Sequence, residues 1–142
     1  VIAEPDMFDK LRECMESEFP AAHFSDADYV PIVEAWLLGQ YAKWYRQLLI
    51  LWKVVTWRAH FDCDNYASLY FALAQLCYGR MKGVEGHALA IGEVWYMQDS
   101  GGAHAINCAF VDDNRLIFIE PQTQKKIELS DKERRSIYFT RF

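Results

Sequence analysis

Apolar residues recur at helical spacing through the first half of this 142-residue chain and at alternate positions through the second. Asp6 can cap a first helix over about residues 7 to 18, in which Phe8, Leu11 and Cys14 or Met15 share one side. After an irregular aromatic segment from His23 to Tyr29, Pro31 opens a long apolar pattern: Ile32, Trp36, Leu37, Tyr41, Trp44 and Tyr45, then Leu48, Leu49 and Trp52. Proline is tolerated in a first helical turn because its missing N–H would be unpaired there, and Gly39 is a point at which this pattern can split into two helices. From Asn65 to Tyr78 the positions Tyr66, Leu69, Tyr70 and Leu73 again follow the 3.6-residue period, with Gly79 as the stop.

Beyond that glycine the period changes to two. Strands are predicted over 87–98, 103–111, 116–120, 125–129 and 137–142, separated by Asp99-Ser100-Gly101-Gly102, Asp112-Asp113-Asn114 and Ser130-Asp131-Lys132. Helices first and a meander afterwards is the α+β pattern: N-terminal helices packed on a small antiparallel sheet, in a single domain spanning 1–142.

Composition supports a packed core. Fifty-two per cent of residues are hydrophobic and 15% aromatic, which excludes disorder over most of the length. Twenty acidic residues against 15 basic ones give a net charge of -5, and with no extended basic run nucleic acid is disfavoured as a partner. The longest apolar stretch, Ile32 to Trp57, is interrupted by Glu34, Gln40, Lys43, Arg46 and Lys53, so no membrane insertion is expected from it. The four cysteines, Cys14, Cys63, Cys77 and Cys108, form no CxxC pair and no small-domain disulfide pattern. Together with the absence of a visible signal peptide, this favours a cytoplasmic location slightly.

Cys63 heads the helical run Phe61-Asp62-Cys63-Asp64-Asn65-Tyr66-Ala67, where unpaired N–H groups and the helix dipole favour thiolate and can hold an oxyanion. The segments Gly102-Ala103-His104-Ala105 and Ile119-Glu120-Pro121-Gln122 supply an imidazole and a carboxylate. If Asp112-Asp113-Asn114 is a three-residue loop, Val111 pairs with Arg115 and Ile106 with Glu120. His104 and Glu120 then share a face as diagonal neighbours about 7 to 8 Å apart at the backbone. A two-residue loop would place them on opposite faces, and the loop composition is compatible with both. In the first register Cys63 is a candidate nucleophile, His104 its base and Glu120 the orienting group, with the indole N–H of Trp57 a candidate oxyanion donor.

Other thiols and imidazoles rank lower. Cys77 lies at the negative end of its helix and Cys108 in mid-strand, both core positions, while His87 is the alternative base. Asp62 and Asp64 flank the nucleophile and oppose its ionisation unless a cation stands beside them. A divalent metal on Asp64 with Glu120 or Gln122 would reverse the local field.

The order Cys63-Asp64, His104, then Glu120-Pro121-Gln122 resembles the papain-like C-terminal cysteine protease domain of the Marasmius oreades agglutinin family, over nearly the whole chain. More distantly, Cys63-Asp64 followed by Ala67 resembles bacterial transglutaminase-like cysteine peptidases. The resemblance implies a papain-like, transglutaminase-like fold, a Cys63–His104–Glu120 triad, and calcium or manganese bound near Asp64 and Gln122. It also implicates a tryptophan shortly before the cysteine in the oxyanion hole, a place Trp57 takes one residue out of step. The β-trefoil lectin domain that precedes the protease in that family is absent from this chain, so sugar recognition is not implied.

The reading that follows is a metal-assisted cysteine peptidase acting on a protein or peptide substrate through an acyl-enzyme. The alternatives are a transglutaminase-like acyltransferase or deamidase, or a catalytically idle protein-binding module whose aromatic-rich surface binds a partner protein.

Overall fold

A computed structural model describes residues 1–17, 21–80 and 86–142. Helix α1 (Glu4–Met15) starts earlier than the hydrophobic period alone suggests. Pro5 pre-sets the first turn, and Glu4 and Asp6 complement its positive end, so Asp6 lies inside the helix rather than capping it. Met7, Leu11 and Met15, four residues apart, form its buried stripe.

Three short strands interrupt the half expected to be helical: β1 (Ile2–Ala3), β2 (Ala22–His23) and β3 (Asp28–Val30). Pro31 does not open a helix; Ile32 bridges to Val111 instead. The chain then enters a π-helix over Trp36–Tyr41, which runs straight into α2 (Ala42–Leu51), so Gly39 lies within the wide turn rather than dividing two helices. Helix α3 (Cys63–Tyr78) starts at the cysteine, with Asp62 as N-cap and Gly79 at its end.

The second half contains β4 (Ala88–Leu89), β5 (Ile91–Met97), β6 (Ala103–Phe110), β7 (Leu116–Glu120) and β8 (Lys125–Ile127). Helix α4 (Asp131–Arg135) and strand β9 (Phe139–Arg141) follow. The expected Ser130-Asp131-Lys132 loop is the start of α4, because Ser130 and Glu133 exchange side-chain and backbone hydrogen bonds in a capping box.

These elements correct the expected plan of N-terminal helices on a small antiparallel sheet of papain-like, transglutaminase-like type. Among the described residues nine strands form two sheets, one of six in the order β2-β9-β5-β6-β7-β8 and one of three in the order β1-β3-β4. Neither is wholly antiparallel, since β2 pairs with β9 and β3 with β4 in parallel. The N-terminal segments are thus woven into both sheets. Short edge strands with long sequence separation carry too little local pattern to announce themselves.

The six-stranded sheet has a core on each side. Tyr41, Tyr45, Tyr66 and Tyr70 of the helices pack with Ala109, Ile117 and Ile119 on one. Met7, Leu11 and Met15 pack with Ile106, Cys108, Phe110 and Phe118 on the other. Two buried tyrosines satisfy their hydroxyls on neighbouring backbone, Tyr41 donating to the Tyr70 carbonyl at 2.6 Å and Tyr45 to that of Tyr66 at 3.1 Å, while the buried Tyr70 hydroxyl has no partner among the described residues. Burial pushes both phenols far up, with Tyr70 the next contributor for each.

Asn107 fixes α3 on the sheet. Its side-chain amide, fully buried, donates to the Ala67 carbonyl at 2.9 Å and to the Gly92 carbonyl at 3.0 Å. At the other end of α3, Gln75 exchanges hydrogen bonds with the backbone of Leu89 at 3.1 and 3.2 Å. Together these bonds run α3 antiparallel to β5 and parallel to β6, so the head of α3 and the start of β6 lie at one end of the layers.

Candidate functional site

That end of the molecule collects the residues marked out by the sequence. In the β6–β7 hairpin Asn107 faces Ile119 and Phe110 faces Leu116. The Val111 N–H donates to the Arg115 carbonyl at 2.9 Å, closing the three-residue loop. This is the register that puts His104 and Glu120 on one face, and His104 Nε2 lies 2.7 Å from Glu120 Oε2. A carboxylate only accepts, so the proton resides on Nε2, and Nδ1 of a neutral imidazole is left as an acceptor. The second carboxylate oxygen accepts from the Gln122 N–H at 3.1 Å.

Both side chains are mostly sheltered, at 17% and 19% exposure. The Tyr96 ring stands edge-on to His104, 5.9 Å between centroids. Burial, followed by the charges of Glu133 and Glu120, pushes the Tyr96 phenol up to about 12, so it acts as a neutral wall.

Cys63 occupies the first turn of α3, half-buried. Among the described residues its sulfur makes no hydrogen bond to His104. Its nearest polar company is acidic: ligand atoms of Asp62, Cys63 and Asp64 lie within 4.8 Å of one another. A hydrogen bond with Asp64 raises the Asp62 carboxyl above its usual range, with burial and the Asp64 charge adding to it. One Asp62 oxygen, shielded from water, has no partner. The structure therefore joins His104 to Glu120 and joins Cys63 to two carboxylates, and it leaves the thiol outside the imidazole's hydrogen bonds.

The donor set fits a cation in part. Two carboxylates with an unpartnered oxygen suit calcium or manganese, whereas a thiol is a soft neighbour for calcium. Asp64 belongs to this cluster. Gln122 is engaged through its backbone, its N–H on Glu120 and its carbonyl accepting from Gln124 at 2.8 Å. Trp57 lies on the loop before α3 with 57% exposure, open to solvent rather than walled into the site.

The remaining candidates separate by burial. Cys108 is fully buried and its thiol is raised well above the usual value by desolvation; Cys14 and Cys77 are raised for the same reason, less strongly. His87 is exposed, in the turn before β4. Sequence reasoning missed Asn107 and Tyr96. The only signal for Asn107 is a polar residue inside the apolar run Ala105-Ile106-Asn107-Cys108-Ala109.

Fold and site define a domain of helices on two mixed sheets, the larger mainly antiparallel, in which a polar end built from α3 and the open end of the β6–β7 hairpin closes two cores. No family model matches the sequence, and no curated protein matches it by sequence. Solved structures do match. A complex of PSL1a with E64 superposes with a TM-score of 0.74 at 21% identity, over 99% of this chain and 50% of that one. The Polyporus squamosus lectin bound to the human-type influenza-binding epitope Neu5Acα2-6Galβ1-4GlcNAc gives a TM-score of 0.74 at 22% identity, over 99% of this chain and 49% of that one. The chain thus spans about half the length of the structures it matches and shares their fold.

These matches correct the identification drawn from the residue pattern. One of the solved chains with this fold is named a lectin. The Marasmius oreades agglutinin-type papain-like domain, the cysteine peptidase or hydrolase activity and the peptide substrate are withdrawn. Among the described residues no helix is long and apolar enough to cross a membrane.

Proposed function

We propose that this chain is a non-catalytic ligand-binding domain, akin to the idle protein-binding module left open by its sequence but with a small ligand in place of a partner protein. Its ligand sits where the head of α3 meets the ends of β6 and β7. The observation that carries this reading is the His104–Glu120 pair, held at 2.7 Å and mostly out of water at the rim of the sheet beside a second polar cluster. A divalent cation, calcium or manganese, is held by Asp64 and Asp62, with the Gln122 amide as a further oxygen donor. An acidic oligosaccharide of the kind bound in the Polyporus squamosus lectin complex suits such a site: its carboxylate complements the cation and its hydroxyls meet His104 and Glu120.

Titration calorimetry with Neu5Acα2-6Galβ1-4GlcNAc, with calcium or manganese and then with EDTA, tests the proposal. Binding that weakens at least tenfold in EDTA and in His104→Ala supports it. Absence of binding under all conditions overturns it, as does amide cleavage that depends on Cys63.

A second reading is favoured by the PSL1a–E64 complex. Cys63 is this chain's thiol at a helix head, where the dipole favours thiolate, and a thiolate can be captured by an electrophile. In this reading the same corner captures an electrophilic ligand on Cys63. Intact-mass analysis after E64 treatment should show one adduct, lost in Cys63→Ser and slowed in His104→Ala. Adducts spread over several cysteines, or none, reject it.

A further inference from the structure

The longest acid-free stretch of the chain lies between Glu34 and Asp62, in a protein whose net charge is -5. It carries Lys43, Arg46, Lys53 and Arg58, all exposed and, among the described residues, none in an ion pair. Lys43, Arg46 and Ile50 stand three and four residues apart, which puts them on one outer face of α2. Where that face ends, apolar side chains project into solvent: Ile50 is 54% exposed, Leu51 70%, Trp52 50% and, across the following loop, Trp57 57%.

The backbone there is firmly held, so the exposure is built in. Val54 N–H donates to the Leu49 carbonyl at 2.9 Å, Tyr66 donates to the Val54 carbonyl, and Arg58 and Phe61 exchange hydrogen bonds at 2.9 and 3.1 Å. Presenting two tryptophans, a leucine and an isoleucine to water on a fixed scaffold forgoes burial that would otherwise be favourable, unless another phase receives them.

We propose that this edge, the outer face of α2 and the loop to Trp57, docks on an anionic lipid surface. Leu51 and Ile50 enter the headgroup–acyl boundary, Trp52 and Trp57 lie at its depth, and the four cations sit among the lipid phosphates and carboxylates. A second copy of the chain fits less well, since a two-fold contact through this face would set the unpaired cations of each copy against those of the other. The inference is independent of the ligand at the α3 head.

Vesicle co-sedimentation tests it, comparing phosphatidylcholine with phosphatidylcholine containing phosphatidylserine, in low salt and then in high salt. Each cation near an anionic surface is worth roughly a fivefold gain in partitioning, so four of them should make anionic vesicles bind on the order of 600-fold more tightly than neutral ones, with the gain lost in high salt. Tryptophan emission should shift to the blue on binding. Leu51→Ser with Trp57→Ser should abolish partitioning, and Lys43→Glu with Arg46→Glu should remove the preference for phosphatidylserine. All four positions are exposed, so unchanged melting temperatures keep a negative result meaningful. Equal binding to both vesicle types, or binding to neither, overturns the proposal. So does a concentration-dependent dimer that Leu51→Ser with Trp57→Ser makes monomeric.

Discussion

Replacing Asn107 by alanine should destabilise the fold and release the head of α3. The buried amide donates at 2.9 Å to Ala67 of α3 and at 3.0 Å to Gly92 of β5, so one side chain joins a helix to a sheet. Two hydrogen bonds at roughly 1 kcal/mol net each are lost, and the space vacated in a fully buried position adds roughly 1 kcal/mol. The Asn107 carbonyl oxygen is buried without a partner, and its removal returns some of that cost. The expected loss is about 2 kcal/mol, a large share of the total stability of a domain of this size. In urea, with a slope near 2 kcal/mol/M, this is a midpoint lowered by about 1 M at unchanged slope. Hydrogen exchange should quicken at the amides of the first turns of α3 more than at those near Gln75, which has its own anchor on Leu89. A midpoint within about 0.3 M of the parent, or exchange quickened evenly along α3, would show that Asn107 does not fix this helix.

Arg141→Met should cost about 2–4 kcal/mol at neutral pH in thermal or urea unfolding, because Glu93, 2% exposed, loses its guanidinium partner at 2.7 Å. Removing the stranded charge with Glu93→Gln in the same chain should recover part of the loss. Gly92→Ala places a Cβ 2.3 Å from the Arg141 carbonyl oxygen, a backbone atom that cannot step aside. A melting temperature lowered by several degrees is expected, corresponding to about 1–3 kcal/mol.

Arg115→Met tests the acid limb. Hydrogen bonds from Arg115 hold the Glu34 and Asp113 carboxyls below their usual range, so their contribution is present above the unfolded carboxylate range and lost as pH falls through the lowered values. The variant should melt below the parent near neutrality, and the gap should narrow as pH falls below the usual carboxylate range. A gap constant across that range would reject the linkage.

The chain's local signals were legible where they were strong and continuous. The Asn65 to Tyr78 period, stopped by Gly79, is realised as α3, and Asp112-Asp113-Asn114 does close the β6–β7 hairpin, setting His104 against Glu120. The sequence left the hairpin register open because both loop lengths suit that composition; packing on two cores selects one, since a one-residue slip would send Ile117 and Ile119 to the wrong layer.

What tertiary structure alone decided are relations between distant segments. The pairings of Ala22–His23 with β9 and of Asp28–Val30 with β4 depend on neighbours that no local period encodes. The π-helix at Trp36–Tyr41 arises where Trp36 and Tyr41 stack at 5.0 Å, a packing outcome rather than a propensity.

The same division holds at the site. Residue types and order suggested a thiol, an imidazole and a carboxylate acting together, and from that a peptidase. The sequence determined that His104 and Glu120 can share a face; that the head of α3 reaches the same end of the layers was decided by the buried bonds of Asn107 and Gln75. Only the folded arrangement decided that, among the described residues, Cys63 makes no hydrogen bond to His104, because side-chain direction at a helix head is set by packing against the sheet and not by spacing along the chain.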